Sequence, residues 1–379
     1  METRPVRIVI AGGGTGGHVQ PAIAVASMLR QHAQVELDWV GSFDGVERDI
    51  AASQQIRFHN IPTGKLRRYF SLYTIRDAFR IPLGILRARL HLRSIKPDVV
   101  FSTGGFVSVP TVVAAWLAGI PVITHEQTAT IGLANKINAR LADRIALAYQ
   151  ETGKLIEHAR DRITVTGNPV RSELIDGDPG RSREVFNLPG ALPIVYVTGG
   201  SLGAQAINQA IQSIIPQLLE RAVVIHQCGP AAVNGDLPRL QRTRADLPEH
   251  LQQRYVIRER IGEDLADIYA AADVVVGRSG GGTVAELALL GKPSILIPLP
   301  GTSSDEQTRN ARVLADAGGA ILLPQSELSP ARLLSEINRV LDDSDQRASM
   351  SLSASSVAQP DAADLLAREI LTLAGQPLP

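Results

Sequence analysis

The sequence predicts an α/β protein built from two doubly wound parallel sheets, and three observations carry that expectation. Short, nearly continuous apolar runs alternate with segments of helical periodicity, the pattern of parallel strands buried on both faces. A glycine-rich turn, Gly12-Gly13-Gly14-Thr15-Gly16-Gly17-His18, follows the first apolar run. After a polar break the scheme of strand, glycine turn and helix starts again at Ile194, with Gly199-Gly200-Ser201-Leu202-Gly203-Ala204-Gln205 as its turn.

In chain order, residues 6–11 form the first strand, and a helix runs from the glycine turn to about His32. Strands are expected at residues 35–40, 56–61, 99–102, 122–125, 144–147 and 163–166, separated mostly by helical patterns. Residues 101–124 carry no charge, yet Gly104-Gly105, Pro110, Gly119 and Pro121 cut them into strand, loop, buried helix and strand rather than a membrane span. Gly167-Asn168-Pro169-Val170-Arg171 breaks the rhythm, and the polar stretch 176–183 marks a domain boundary. The second half then supplies strands at 194–198, 223–227, 255–258, 274–277, 294–297 and 320–323. The expected division is residues 1–168, 169–343 and a tail of helices, 344–379, interrupted near Pro360 and packing back on the first domain. Sheets of this kind bind ligands beyond the carboxyl ends of their strands, so the expected site is a cleft between the two domains.

Composition narrows the class. With 379 residues, 44% of them hydrophobic and 20% charged, the chain is globular and long enough for two cores. A formal charge of +0 argues against a nucleic-acid protein held by whole-surface attraction. Cys228 is the single cysteine, so no internal disulfide forms and a reducing cytosol is the simplest compartment. The apolar run after Pro5 ends at Ala11, too short for a secretory signal.

Three glycine turns carry the chemistry. In Arg278-Ser279-Gly280-Gly281-Gly282-Thr283-Val284-Ala285-Glu286 an apolar strand gives way to a helix, where unpaired amides at the positive end of a helix dipole suit a phosphate or diphosphate. Glu286 lies one turn into that helix, within reach of ribose hydroxyls, or merely offsets the dipole. The first turn matches the dinucleotide pattern Gly-x-Gly-x-x-Gly. An NAD-type reading, however, wants an acid at the end of the second strand, and Asp38 lies inside it. His18 directly follows the last glycine, where an imidazole either exchanges a proton with a bound hydroxyl or simply caps and packs. Gln307, at the head of a later helix after Asp305-Glu306, offers both donor and acceptors to a sugar. The Asp-x-Asp triplets at Asp176 and Asp343 sit in polar connecting segments and read as solvated turns, not metal sites, and no His or Cys cluster has zinc spacing.

Residues 65–96 have an unusual composition. Lys65, Arg67, Arg68, Arg76, Arg80, Arg87, Arg89, Arg93 and Lys96 face only Asp77, interleaved with Leu66, Tyr69, Phe70, Leu72, Tyr73, Leu83 and Leu86 among others. Basic plus aromatic and aliphatic residues point to an anionic membrane surface. Nucleic acid would use the charges but leave the apolar half without a purpose, and a solvated helix face covering the core is the plain alternative.

The ordered motifs resemble one family. Gly13-Gly14-Thr15-Gly16-Gly17-His18, Gly104-Gly105-Phe106, His125-Glu126-Gln127, Gly167-Asn168-Pro169-Val170-Arg171, Gly199-Gly200-Ser201-Leu202-Gly203-Ala204, Arg278-Ser279-Gly280 with Glu286, and Asp305-Glu306-Gln307 with Asn310-Ala311 look like the peptidoglycan GlcNAc transferases of glycosyltransferase family 28. The resemblance runs from about Val6 to about Leu341. It implies the two-domain GT-B fold and inverting transfer of GlcNAc from UDP-GlcNAc to the C4 hydroxyl of MurNAc in undecaprenyl-diphosphate-MurNAc-pentapeptide, lipid I, giving lipid II. It also implies no cofactor, no active-site metal, and peripheral attachment to the cytoplasmic face of the cell membrane. Matched motif by motif, Ser201, Gly280 and Arg171 fall near the diphosphate, Ile261 near the uracil, Glu286 at the ribose and Gln307 at the GlcNAc hydroxyls. Thr15, Gly16 and Gly17 fall at the first-domain edge of the donor, and His18 is the leading candidate for general base, with Glu126 a second candidate or an orienting partner. Thr128 stands where the family usually has Asn, and Glu306 where His or Gln is common.

Rival readings share part of this pattern. A diacylglycerol glucosyltransferase or a UDP-GlcNAc 2-epimerase would have the same architecture, but an epimerase has no use for the basic and apolar segment. An NAD-dependent oxidoreductase lacks its ribose acid. A catalytically silent lipid-binding scaffold would release no UDP from any donor.

Overall fold

The computed structural model describes residues 4–64, 72–190 and 192–377, and of residues 72–79 and Ser303 the backbone alone. The chain forms two compact units, Met1–Arg171 with Gln359–Pro379, and Ser172–Ala358.

The first unit holds a seven-stranded parallel sheet in the order β3-β2-β1-β4-β5-β6-β7. Its strands are β1 Val6–Gly12, β2 Val35–Ser42, β3 Arg57–Ile61, β4 Val99–Gly104, β5 Val122–Glu126, β6 Arg144–Leu147 and β7 Ile163–Val165. The helices that position the site are α1 Gly16–His32, α2 Glu47–Ser53, α3 Leu72–Ile95, α4 Ser108–Leu117 and α5 Leu133–Leu141. The continuous apolar run of β1 follows from burial on both faces. Ile8 and Ile10 pack with Val19, Ile23 and Leu29 of α1 and with Leu366 and Ile370, while Val9 and Ala11 pack with Leu92 of α3 and Val112 of α4. The chargeless stretch 101–124 is β4, α4 and β5, buried except at the end of α4, where Trp116 and Leu117 are exposed.

The second unit repeats the plan with six parallel strands in the order β10-β9-β8-β11-β12-β13. These are β8 Ile194–Thr198, β9 Val223–Gln227, β10 Tyr255–Arg258, β11 Val274–Gly277, β12 Ser294–Leu296 and β13 Ala320–Leu322. Val195, Val197, Val274 and Val276 meet Ile207, Ile211 and Ile337 in one core.

In each sheet the strand order reverses between two neighbours, β1 and β4 in the first, β8 and β11 in the second. All four of these strands end in glycine turns, so the backbone is barest at the two switch points, where open sheets take ligands.

The tail helices part company. Ser344–Ser355 lies in the second unit, beside helices Gly281–Leu289 and Pro330–Asp342, whereas Ala362–Leu373 packs along α1 in the first. The Asp-x-Asp triplets serve helix starts: Asp178 accepts from the Gly180 amide and Asp343 from the Gln346 amide, each as an N-cap. No helix among the described residues is long and apolar enough to cross a membrane.

Candidate active site

At the carboxyl ends of β1 and β4 the backbone approaches itself so closely that only glycine fits. Gly105, at φ +76°, has no room for a Cβ, which would stand 2.6 Å from the Gly13 oxygen. His18 lies in the first turn of α1, with its Nδ1 2.9 Å from the Thr103 carbonyl oxygen. A carbonyl only accepts, so Nδ1 carries the proton of the neutral ring and Nε2 carries the lone pair. The Gln127 amide donates to the same oxygen at 2.6 Å, which fixes the carbonyl that fixes the imidazole. Thr15 is the exposed, extended residue before α1, followed by Gly16 and Gly17 in the first turn of the helix, where amides lack intrahelical partners.

Glu126 behaves differently. Its Oε1 accepts from the Thr128 amide and hydroxyl at 3.3 and 2.9 Å, and its Oε2 from the Gly132 amide and Asn135 side chain at 3.1 and 3.0 Å. Four donors surround this buried carboxylate as the clamp of loop 126–135, with the Thr128 hydroxyl proton shared between Glu126 and the Thr130 carbonyl oxygen 3.1 Å away. His125 beside it is wholly buried and gives its Nε2 proton to the Gly167 oxygen at 2.9 Å. Burial pushes its pKa down to about 4, so it stays neutral.

In the second unit two turns face outward as bare backbone. An added Cβ would meet nothing within 4 Å at Gly200, Gly280 or Gly282, and Ser201 is exposed. Gly203, by contrast, is wedged against the chain, with φ +76° and only 2.1 Å between an added Cβ and the Cys228 oxygen. Gly280 precedes helix Gly281–Leu289, so that helix begins in the glycines themselves, two residues earlier than its apolar periodicity indicates.

Single side chains tie these pieces together. Gln227 donates to the Gly200 oxygen at 3.1 Å and accepts from the Ile261 amide at 3.2 Å, linking the β8 turn to Ile261. Tyr269 donates its hydroxyl to Glu286 Oε2 at 2.9 Å. Ser279 donates to the Gln307 main-chain oxygen at 2.7 Å, and Gln307 accepts from the Leu299 amide at 2.9 Å, which leaves its NH2 as the end offered to a hydroxyl. The buried Arg278 donates to the Ile297 and Pro298 oxygens at 2.9 and 3.0 Å, shaping the loop before Gln307. Arg171 ends the first unit, and its buried Nε meets no partner among the described residues.

Within the first unit the structure therefore joins His18, Thr103 and Gln127 and assigns Glu126 to a separate clamp. Within the second Gln227 joins Gly200, the neighbour of Ser201, to Ile261, and Ser279, the neighbour of Gly280, bonds Gln307. The connecting groups Thr103, Gln227 and Tyr269 escaped the sequence reading, because a main-chain oxygen, a strand-end amide and a helix tyrosine carry no motif. Asp38, the acid nearest the dinucleotide position, is buried and paired with His59 at 2.7 Å and Arg57 at 3.4 Å, so it has no ribose to serve. Among the described residues no cluster of three metal-ligating side chains occurs.

Residues 65–71, and the side chains of Leu72 to Phe79 including Arg76, lie outside the described residues. Beyond them α3 exposes Leu83, Leu86 and Leu90 at 54, 56 and 56%, beside the exposed Arg80, Arg87 and Arg93. The guanidinium of Arg87 sits 5.6 Å from the ring centre of Phe43, itself exposed. Trp116 and Leu117 are exposed on α4, the helix packed against α3.

Comparison with known proteins completes this picture. Residues 8–147 match the glycosyltransferase family 28 N-terminal domain and residues 194–366 the glycosyltransferase family 28 C-terminal domain. A UDP-N-acetylglucosamine--N-acetylmuramyl-(pentapeptide) pyrophosphoryl-undecaprenol N-acetylglucosamine transferase from Salinibacter ruber is 39% identical over 379 residues, covering 99% of this chain and 98% of its own. The protein of the same name from Legionella pneumophila (strain Paris) is 38% identical over 340 residues, 89% of this chain and 90% of its own. The crystal structure of Acinetobacter baumannii MurG superposes with a TM-score of 0.72 at 30% identity, covering 97% of this chain and all of that one. A UDP-N-acetylglucosamine 2-epimerase reaches a TM-score of 0.70 at 17% identity over 98% and 97%, a likeness of fold alone.

Proposed function

Since the chain belongs to glycosyltransferase family 28, we propose that it transfers GlcNAc from UDP-GlcNAc to the C4 hydroxyl of MurNAc in undecaprenyl-diphosphate-MurNAc-pentapeptide, giving lipid II for peptidoglycan synthesis. Full-length likeness to transferases of that name is the observation that carries the substrates.

The residues supply a mechanism. His18 Nε2 takes the proton of the acceptor hydroxyl as its oxygen bonds to the anomeric carbon of GlcNAc. The bond from that carbon to the UDP oxygen breaks on the opposite face, so the configuration inverts. A positioned base of this kind supplies about 10² to 10⁴ in rate. Glu126, with four donors already on its oxygens, organises the neighbouring loop rather than taking the proton.

The departing UDP gains negative charge. The amides at Ser201 and Gly280, the positive end of helix Gly281–Leu289 and Arg171 favour that charge more strongly in the transition state than in the bound donor. Ile261, whose amide is held by Gln227, offers its main-chain oxygen to the uracil, Glu286 accepts from the ribose hydroxyls and the Gln307 amide donates to GlcNAc, while Thr15, Gly16 and Gly17 border the sugar. The exposed leucines and arginines of α3, with Trp116, suit reversible attachment to the anionic inner face of the membrane, where the acceptor's lipid resides.

Incubation with lipid I and radiolabelled UDP-GlcNAc tests the reading. Labelled lipid II is the expected product, with UDP-glucose a poor donor. Release of UDP without lipid product, or formation of UDP-ManNAc, would overturn it.

A further inference from the structure

A carboxylate fills the first glycine turn from beneath. Glu47, the first residue of α2, is fully buried. Its Oε2 accepts from the Gly14 amide at 3.0 Å, and its Oε1 from the Ser42 amide at 3.0 Å and the Ser42 hydroxyl at 2.6 Å. The turn is shaped around it: a Cβ on Gly13 would stand 2.3 Å from the Glu47 carboxyl carbon, and one on Gly45 2.2 Å from it.

Burial of an ionised carboxylate costs several kcal/mol, on the order of the penalty for any desolvated ion, unless hydrogen bonds replace its water. These three donors are the replacement. An apolar side chain would cover the sheet end at no such cost, so the carboxylate answers a need of the turn rather than of the core. In a dinucleotide-type turn the amide corresponding to Gly14 points at a bound phosphate. Here an internal anion already occupies that amide.

The turn is pinned on its other side as well. The Trp39 indole donates to the Gly12 oxygen at 3.0 Å, and Gly105 lies against the Gly13 oxygen. His18 follows four residues after Gly14, so the segment that delivers the imidazole is immobilised at both ends, by Glu47 and Trp39 before it and by Thr103 at its own ring.

We infer that Glu47 is a positioning residue: its carboxylate stands in for a bound anion in the first glycine turn, holds Gly14 in place and thereby sets where His18 presents Nε2. The inference rests on the reading of His18 as the base. Its consequence is that the Gly14 amide gives nothing to the donor's diphosphate, which depends on the turns of the second unit.

The test compares the full-length protein with Glu47→Gln and Glu47→Ala, using lipid I and UDP-GlcNAc, with donor affinity by calorimetry and Tm measured in parallel. Glutamine keeps one oxygen for Gly14 and alanine keeps none. The kcat should fall about 10-fold in Glu47→Gln and about 100-fold in Glu47→Ala, while donor affinity stays within about 3-fold. Wild-type kcat in Glu47→Gln, or a loss of donor affinity as large as the loss of kcat, would overturn the inference. If Glu47→Ala does not fold, Ser42→Ala takes its place, with kcat expected to drop about 3-fold and donor affinity to hold. An inactive wild-type protein would instead sink the proposed function, so the two failures are distinguishable.

Discussion

The Nδ1 of His18 lies 2.9 Å from the Thr103 carbonyl oxygen, and this contact alone decides which ring nitrogen accepts a proton. His18→Ala should lower kcat by about 10² to 10⁴ with UDP-GlcNAc affinity changed less than about 3-fold. Steady-state kinetics beside calorimetry separates the two effects. An unchanged kcat removes His18 from the base role.

Glu286 is braced by a phenol. The Tyr269 hydroxyl, 2.9 Å from Glu286 Oε2, holds the carboxylate in one orientation on its helix. Tyr269→Phe should weaken UDP binding by about 1 kcal/mol, roughly 5-fold, and Glu286→Ala by more. Isothermal titration with UDP reads both, and equal affinity in Glu286→Ala would exclude its part in holding the ribose.

The outward glycines separate binding from folding. An added Cβ at Gly280 meets nothing, whereas at Gly203 it meets the Cys228 oxygen at 2.1 Å in a left-handed backbone. Gly280→Ala should leave Tm unchanged and weaken donor binding about 10-fold, by standing where the diphosphate approaches. Gly203→Ala should lower Tm outright. A Gly280→Ala protein that binds donor normally would remove this turn as the diphosphate seat.

On α3, reversing Arg80, Arg87 and Arg93 to glutamate should release the protein from anionic vesicles. Each lost basic residue near such a surface is worth about 1 kcal/mol, so the partition coefficient should drop at least about 100-fold. Replacing Leu83, Leu86 and Leu90 by serine should act in the same direction in neutral vesicles. Vesicle co-sedimentation that stays undiminished in both variants would make this helix face a plain solvated cover.

Two buried histidines fix an acid limit on stability. Burial holds His125 neutral down to about pH 4 and His226 down to about pH 3, whereas in the unfolded chain both titrate near the usual value of 6.5. Above pH 6.5 both states are neutral and the stabilisation is fully present. As pH falls below 6.5 the unfolded chain binds protons that the native one refuses, so stability is lost towards the folded pKa values. At pH 5 each site should cost its own unit about 2 kcal/mol. Urea midpoints at pH 7.5 and 5.0 check this, and His226→Gln should flatten the second unit's dependence.

The sequence by itself determined the two sheets, every strand near its observed place, and the glycine turns at both switch points. It could do so because β-strands buried on both faces must be apolar along their whole length, and because a backbone that nothing may crowd must be glycine. Its motifs also determined the family. Tertiary structure alone decided what those motif residues can do. The motifs offer His18 first and Glu126 second as candidate bases, yet only the structure shows Glu126 with its oxygens met by Thr128, Gly132 and Asn135, and His18, among the described residues, with a single nitrogen tied and the second left with its lone pair. Glu47 and Tyr269 belong to no motif, since hydrogen bonds to Gly14 and Glu286 over 33 and 17 residues of chain depend on strand order and helix placement, which local residue pattern does not encode.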